Sequence, residues 1–121
     1  MQFLSMIRIN ENSAQKPDER LMTDMGKLME EMMSAGILID TAGLRPTSEG
    51  KRVRLSHGRT SQVDGPFTET KEVIGGYAIL EVGSMDEALE VTRRFLDVHG
   101  TSWEIECEVR QMERHPQVDA P

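Results

Sequence analysis

The side chains best placed to do chemistry are gathered in Asp64-Gly65-Pro66-Phe67-Thr68-Glu69-Thr70-Lys71-Glu72, where four ionisable groups fall within nine residues. Proline fixes φ near −65° and glycine tolerates positive φ, so Gly65-Pro66 makes a rigid corner that presents Asp64 and Phe67 at set angles. Asp64 suits a general base if burial in a cleft raises its pKa. An Asp before Gly-Pro is also an ordinary turn former that spends its carboxylate on the backbone, and both readings stay open. Lys71, between Glu69 and Glu72, either holds an anionic ligand or belongs to a solvated run of ion pairs. Arg54 makes a carboxylate clamp if it points into a cleft, with Arg110 beside it, and otherwise keeps a strand edge soluble. The candidate set is therefore Asp64 as proton carrier, with Arg54, Phe67, Glu69, Lys71 and Glu72 as ligand contacts.

Other chemistries lack their residues. Cys107 is the only cysteine, so there is no intrachain disulfide and no cysteine-built metal centre, which fits a reducing cytoplasm. His57 and Asp64 of different chains could share a metal, but no pair has the close spacing that zinc sites favour. No Gly-rich phosphate loop, nucleophile elbow or redox cysteine pair occurs, so no cofactor is implied. A net charge of −7 argues against a nucleic-acid partner. No stretch reaches 18 apolar residues and no basic-then-apolar leader opens the chain, so a soluble, cytoplasmic protein is expected.

The elements that must hold these groups are read from periodicity. Residues 2–9 are apolar at nearly every position, as in a central strand. Pro17-Asp18-Glu19 opens a helix in which Leu21, Met25, Leu28 and Met32 form a stripe that Met22, Met29 and Met33 widen; it ends at Gly36. Ile37 to Leu44 reads as a strand. Arg52 to His57 and Thr60 to Asp64 read as a hairpin about Gly58-Arg59, which sets His57 opposite Thr60, Leu55 opposite Gln62 and Val53 opposite Asp64. His57 then shares a face with Asp64 but lies roughly 13 Å along it, too far for a dyad within one chain.

Gly76 to Val82 is a further strand, entered through Gly75-Gly76, where a bulge or close backbone approach is expected. Ser84-Met85-Asp86-Glu87 is a capping box for a second helix with Ala88, Val91, Thr92, Phe95 and Leu96 inward. His99 lies near the negative end of that helix. Trp103, Ile105, Cys107 and Val109 alternate with Glu104, Glu106, Glu108 and Arg110 as a last strand, and the tail from His115 is expected to fray.

The order strand, helix, strand, hairpin, strand, helix, strand gives an α+β fold in one domain over residues 1–121, a ferredoxin-like split βαβ with an inserted β-hairpin. Two helices cover one face of a four-stranded sheet. The other face is expected to be buried by a second copy, forming a homodimer.

The stretch DGPFTETKE resembles the signature of the DGPF family, part of the YCII-related superfamily of dimeric α/β barrels. The likeness extends to Ala35-Gly36, Leu44-Arg45-Pro46 with Ser48, Arg52-Val53-Arg54, Ser84 with Glu87-Ala88, and Glu108-Val109-Arg110. It implies a small homodimer with a cleft near Asp64-Gly65-Pro66-Phe67 for binding or converting a small organic molecule. The superfamily's suspected activity rests on a histidine and an aspartate; Asp64 matches the aspartate by motif, while no histidine occurs in the first strand or helix. The tryptophan- and Arg-Cys-Pro-containing segment of many relatives is replaced by Val91 to Leu96. Association of relatives with extracytoplasmic-function sigma factors implies the alternative, a non-catalytic regulatory or interaction module.

Overall fold

A computed structural model of the chain describes residues 1–13 and 15–114, and the tail expected to fray lies outside them. The element order is β1 (Gln2–Ile9), α1 (Glu19–Ser34), β2 (Leu38–Gly43), a short 3-10 turn (Thr47–Glu49), β3 (Lys51–Ser56), β4 (Arg59–Asp64), β5 (Val73–Glu81), α2 (Met85–Asp97) and β6 (Glu106–Gln111). Four strands make one antiparallel sheet in the order β2-β5-β1-β6, with β1 central, while β3 and β4 form a separate two-stranded ribbon. This is the α+β, ferredoxin-like arrangement expected from the element order.

Cross-strand partners share a face, so the register sorts the sheet into two surfaces. Phe3 pairs with Leu80, Ser5 with Ala78 and Val109, and Ile7 with Gly76 and Cys107. This surface takes the helices: Phe3 and Leu80 cluster with Leu28 and Met32 of α1 and Ala88 of α2. Full burial of each such large side chain is worth about 1.5–3 kcal/mol. The opposite surface pairs Leu4 with Ile79 and Arg110, and Met6 with Tyr77 and Glu108. Its central side chains are half-buried in the single chain, and Arg8 meets Glu108 at 3.4 Å along its margin.

The helix starts obey local chemistry. Asp18 accepts from the Leu21 amide at 2.8 Å at the head of α1. Ser84 accepts from Glu87 N at 3.2 Å at the head of α2, and the Glu87 carboxylate reaches back to the amide of Gly83 at 2.9 Å, one residue before the serine. His99 caps the far end, with Nδ1 3.0 Å from the Phe95 carbonyl, and its ring lies edge-on to Phe95 and Trp103.

Several sequence expectations need correction. Met22 and Met33 do not widen the buried stripe of α1; they stand 65% and 52% exposed because they fall outside the arc of Leu21, Leu28 and Met32. The last strand begins at Glu106 rather than Trp103, since β1 runs out of pairing positions at Arg8 opposite Glu106. The hairpin turn is His57-Gly58, not Gly58-Arg59, with φ of 52° and 77°. Positive φ at both central turn residues is the type I′ pattern, which matches strand twist, and histidine enters the left-handed region more readily than most side chains. The pairs are consequently Leu55↔Thr60, Val53↔Gln62 and Lys51↔Asp64, a slip of two residues that keeps every side chain on its expected face. At Gly75 the β1–β5 register shifts by one, with Ile7 opposite Gly76 and Arg8 opposite Ile74.

Candidate functional site

The corner after β4 is built by close packing. The Gly65 amide donates to the Gly50 carbonyl at 2.9 Å, closing the base of the ribbon. A Cβ on Gly65 would overlap the Thr47 carbonyl oxygen and lie 2.7 Å from its carbon, so only glycine lets the corner sit on the 3-10 turn. The Gly65-Pro66 peptide is cis. The same turn is tied to the β1–α1 loop, because the Glu11 carboxylate accepts from the Thr47 amide at 3.1 Å and from its hydroxyl. These hydrogen bonds hold the Glu11 carboxyl below the usual carboxylate range. Thr47 is thus the point where three separate segments meet.

Those segments wall a cleft of about 410 Å³ at the end of the sheet where β1 and β2 finish and β5 begins. Its apolar lining is Ile9, Leu44, Pro46, Pro66, Val73 and Ile74, and its polar lining is Glu11, Asn12, Arg45 and Ser48. Leu44 and Ile74 are 51% and 48% exposed, unusually open for large aliphatics on one small surface. Arg45 is oriented by Glu49, with Nε at 3.2 Å and a second nitrogen at 2.8 Å. A concave apolar floor edged by a few oriented polar groups is the usual construction of a small-molecule site.

The residues singled out from the sequence fall in different places around this cleft. Asp64 ends β4 with its carboxylate exposed, accepting from Lys51 Nζ at 2.9 Å and from Gln62 Nε2 at 3.1 Å. Lys51 first, and Gln62 after it, hold the Asp64 carboxyl below its ordinary value, the opposite direction from a base raised by burial. The carboxylate is therefore spent on side chains rather than on turn amides. Phe67 is half-buried and carries the Arg52 guanidinium 3.9 Å above its ring, in cation–π geometry. Glu69 closes the group by pairing with Arg52, whose hydrogen bond lowers the Glu69 pKa. Arg54 stands exposed on β3, on the face away from Asp64, and has no ion-pair partner among the described residues.

Lys71 and Glu72 line a second cleft of about 510 Å³, with Asn10, Ser13, Gln15, Glu104, Ile105 and Glu106. The motif is thus split: Pro66 faces one cleft, Lys71 and Glu72 another, and Asp64, Phe67 and Glu69 fasten the ribbon between them. No cluster of three or more His, Cys, Asp or Glu able to hold a metal ion occurs among the described residues. No helix among them is long and apolar enough to cross a membrane.

Sequence reasoning overlooked Glu11, Asn12, Arg45 and Ser48 as cleft residues, together with Ile9 and Ile74 of its floor. Arg45 and Ser48 carried a signal, since Leu44-Arg45-Pro46 with Ser48 stands among the stretches that resemble the DGPF family. Glu11 carried none, because its partner Thr47 is 36 residues away.

A family model described as the YCII-related domain matches residues 1–105. An uncharacterized protein from Rhizobium meliloti (strain 1021) is 39% identical over 80 residues, covering 66% of this chain and 64% of that protein. The chain thus spans slightly less than two-thirds of the length of that curated relative.

Proposed function

The chain belongs to the YCII-related domain family, and from that premise we propose that it is a homodimer binding a small organic molecule in the cleft beside Pro66. The observation that carries the reading is the pair of half-exposed aliphatics, Leu44 and Ile74, on the floor of a 410 Å³ cleft whose rim holds Asn12, Arg45 and Ser48. Apolar surface of this kind favours a ligand with an apolar body, and the rim, where Glu11 stands beside Asn12 and Ser48 and Arg45 is paired with Glu49, suits a polar end. Binding rather than proton transfer is favoured, because Asp64 does not line the cleft and its carboxylate, engaged by Lys51 and Gln62, is made a weaker base by them. The same pairing supports a second reading, a non-catalytic interaction or regulatory module in which the motif serves as a structural brace.

Dimerisation through the open sheet face is supported by its composition. Leu4, Met6, Tyr77 and Ile79 form an apolar centre, while Arg8, Glu106, Glu108 and Arg110 line its margin. An apolar centre within a charged rim is the common anatomy of a protein interface. Self-complementary faces of this kind pair about a two-fold axis.

A thermal-shift screen of small organic acids and amides tests the ligand reading. At least one hit should stabilise the wild type, lose its effect in Ile74→Glu and keep it in Val53→Glu on the distant ribbon. A screen without hits, or hits indifferent to Ile74→Glu, refutes cleft binding. Sedimentation should give a dimer at micromolar concentration that Ile79→Arg dissociates.

A further inference from the structure

The ribbon of β3 and β4 is anomalous within one chain. Every residue of both strands is exposed, and its sustained packing is only within itself. A two-stranded ribbon alone is marginally stable in water, yet this one exposes Val53 and Leu55 by 71% and 72% on one face and Val63 by 56% on the other. Its charge is also inverted relative to the body. Residues 51–64 hold Lys51, Arg52, Arg54 and Arg59 against Asp64 alone, a net +3, so the remainder of this −7 chain carries −10.

Lys51 and Arg52 are engaged at the base by Asp64 and Glu69. Arg54 and Arg59 are not paired among the described residues. By the observed register they lie on the same face as Val63, giving a basic surface with an apolar spot. The complementary surface is the 510 Å³ cleft, where Glu72, Glu104 and Glu106 outnumber the one cation, Lys71, and line the wall with half-buried Ile105. None of those three carboxylates has a salt-bridge partner among the described residues.

We propose that the ribbon is an exchanged arm, whose Arg54, Arg59 and Val63 face lies against the Glu104–Glu106 cleft of a second copy of this chain. This rests on the homodimer reading above and adds a second, electrostatic contact to it. Two-fold symmetry makes the contact reciprocal, so each copy gives one arm and receives one. The contact covers Val63 and leaves Val53 and Leu55, on the other face of the ribbon, open. Opposite charges across an interface set its register and speed association, and salt weakens the attraction.

The test reverses charge on each side separately. Arg54→Glu with Arg59→Glu alters the arm, and Glu104→Arg, at a residue outside β6 and the sheet-face margin, alters the cleft; all three positions are exposed, and circular dichroism verifies the fold of each variant. In sedimentation at low salt each variant should self-associate at least about tenfold more weakly than wild type. An equimolar mixture should recover wild-type affinity, because both contacts in the mixed dimer again join opposite charges. Unchanged affinity in the separate variants overturns the arm while leaving the sheet-face dimer standing, and weakening that mixing fails to repair also overturns it. A monomeric wild type overturns the dimer and the arm together.

Discussion

Gly65→Ala is the sharpest perturbation of the corner. The added methyl would stand 2.7 Å from the Thr47 carbonyl carbon and overlap its oxygen, where ordinary contact begins at about 3.4 Å. The corner and the 3-10 turn must therefore part by at least about 0.7 Å on the carbon contact alone. Both sides are backbone, so no side chain can rotate away. Overpacking of this kind costs about 1–3 kcal/mol, towards the upper end if the Gly65–Gly50 hydrogen bond stretches with it. Unfolding entropy near 2.1 cal/mol/K per residue over 121 residues makes each kcal/mol worth about 4 °C, so the melting temperature should fall by about 4–12 °C. Urea unfolding followed by circular dichroism measures the loss, and hydrogen exchange at the residue 65 amide reports whether the corner has lifted. Gly26→Ala supplies the control of opposite sign. Gly26 is exposed within α1 and its Cβ would meet nothing within 4 Å, so that variant should gain about 1 kcal/mol. Stability within 0.5 kcal/mol of wild type, together with unchanged amide protection at residue 65, would refute the close approach.

Two further outcomes separate the body from the ribbon. Phe3→Ala should cost about 3–5 kcal/mol in the same urea assay, since Phe3 is 1% exposed at the centre of the core, whereas Leu55→Ala, in an Ile79→Arg background that sedimentation shows to be monomeric, should stay within about 0.5 kcal/mol. Asp64 and Glu69 have lowered folded pKa values, so their pairing with Lys51 and Arg52 is fully present above the ordinary carboxylate range, near pH 4, and fades as pH falls through the lowered values. Hydrogen exchange at the ribbon base, corrected for the intrinsic rate, should therefore lose protection on acidification below about pH 4. Asp64→Asn should remove much of that dependence.

The sheet and helices were legible because their apolar periods are long and their caps local. Phe3 to Ile9, the Leu21-Leu28-Met32 stripe and Ser84 with Glu87 each announce an element without help from elsewhere in the chain. Placing the turn by its glycine gives the wrong ribbon register, because nothing in the sequence says that His57 will take a φ of 52°. With the correct pairing, Lys51 falls opposite Asp64, and the partner that holds the carboxylate ionised becomes visible. The cleft was less legible than the motif beside it. Its walls come from residues 9–12, 44–48 and 66–75, brought together by Glu11, Thr47 and Gly65 across sequence gaps that no periodicity spans.

The clamp at the base of the ribbon, which includes Arg52 and Gln62, also makes residues 53–61 a replaceable cassette. Lys51 opposite Asp64 and Gly50 bonded to Gly65 fix both stubs of the insertion, so a grafted sequence of matching length would leave Thr47 and the pocket floor undisturbed. Under the arm contact proposed above, selectivity for a mate would be rewritten in one short segment, apart from the residues that wall the pocket.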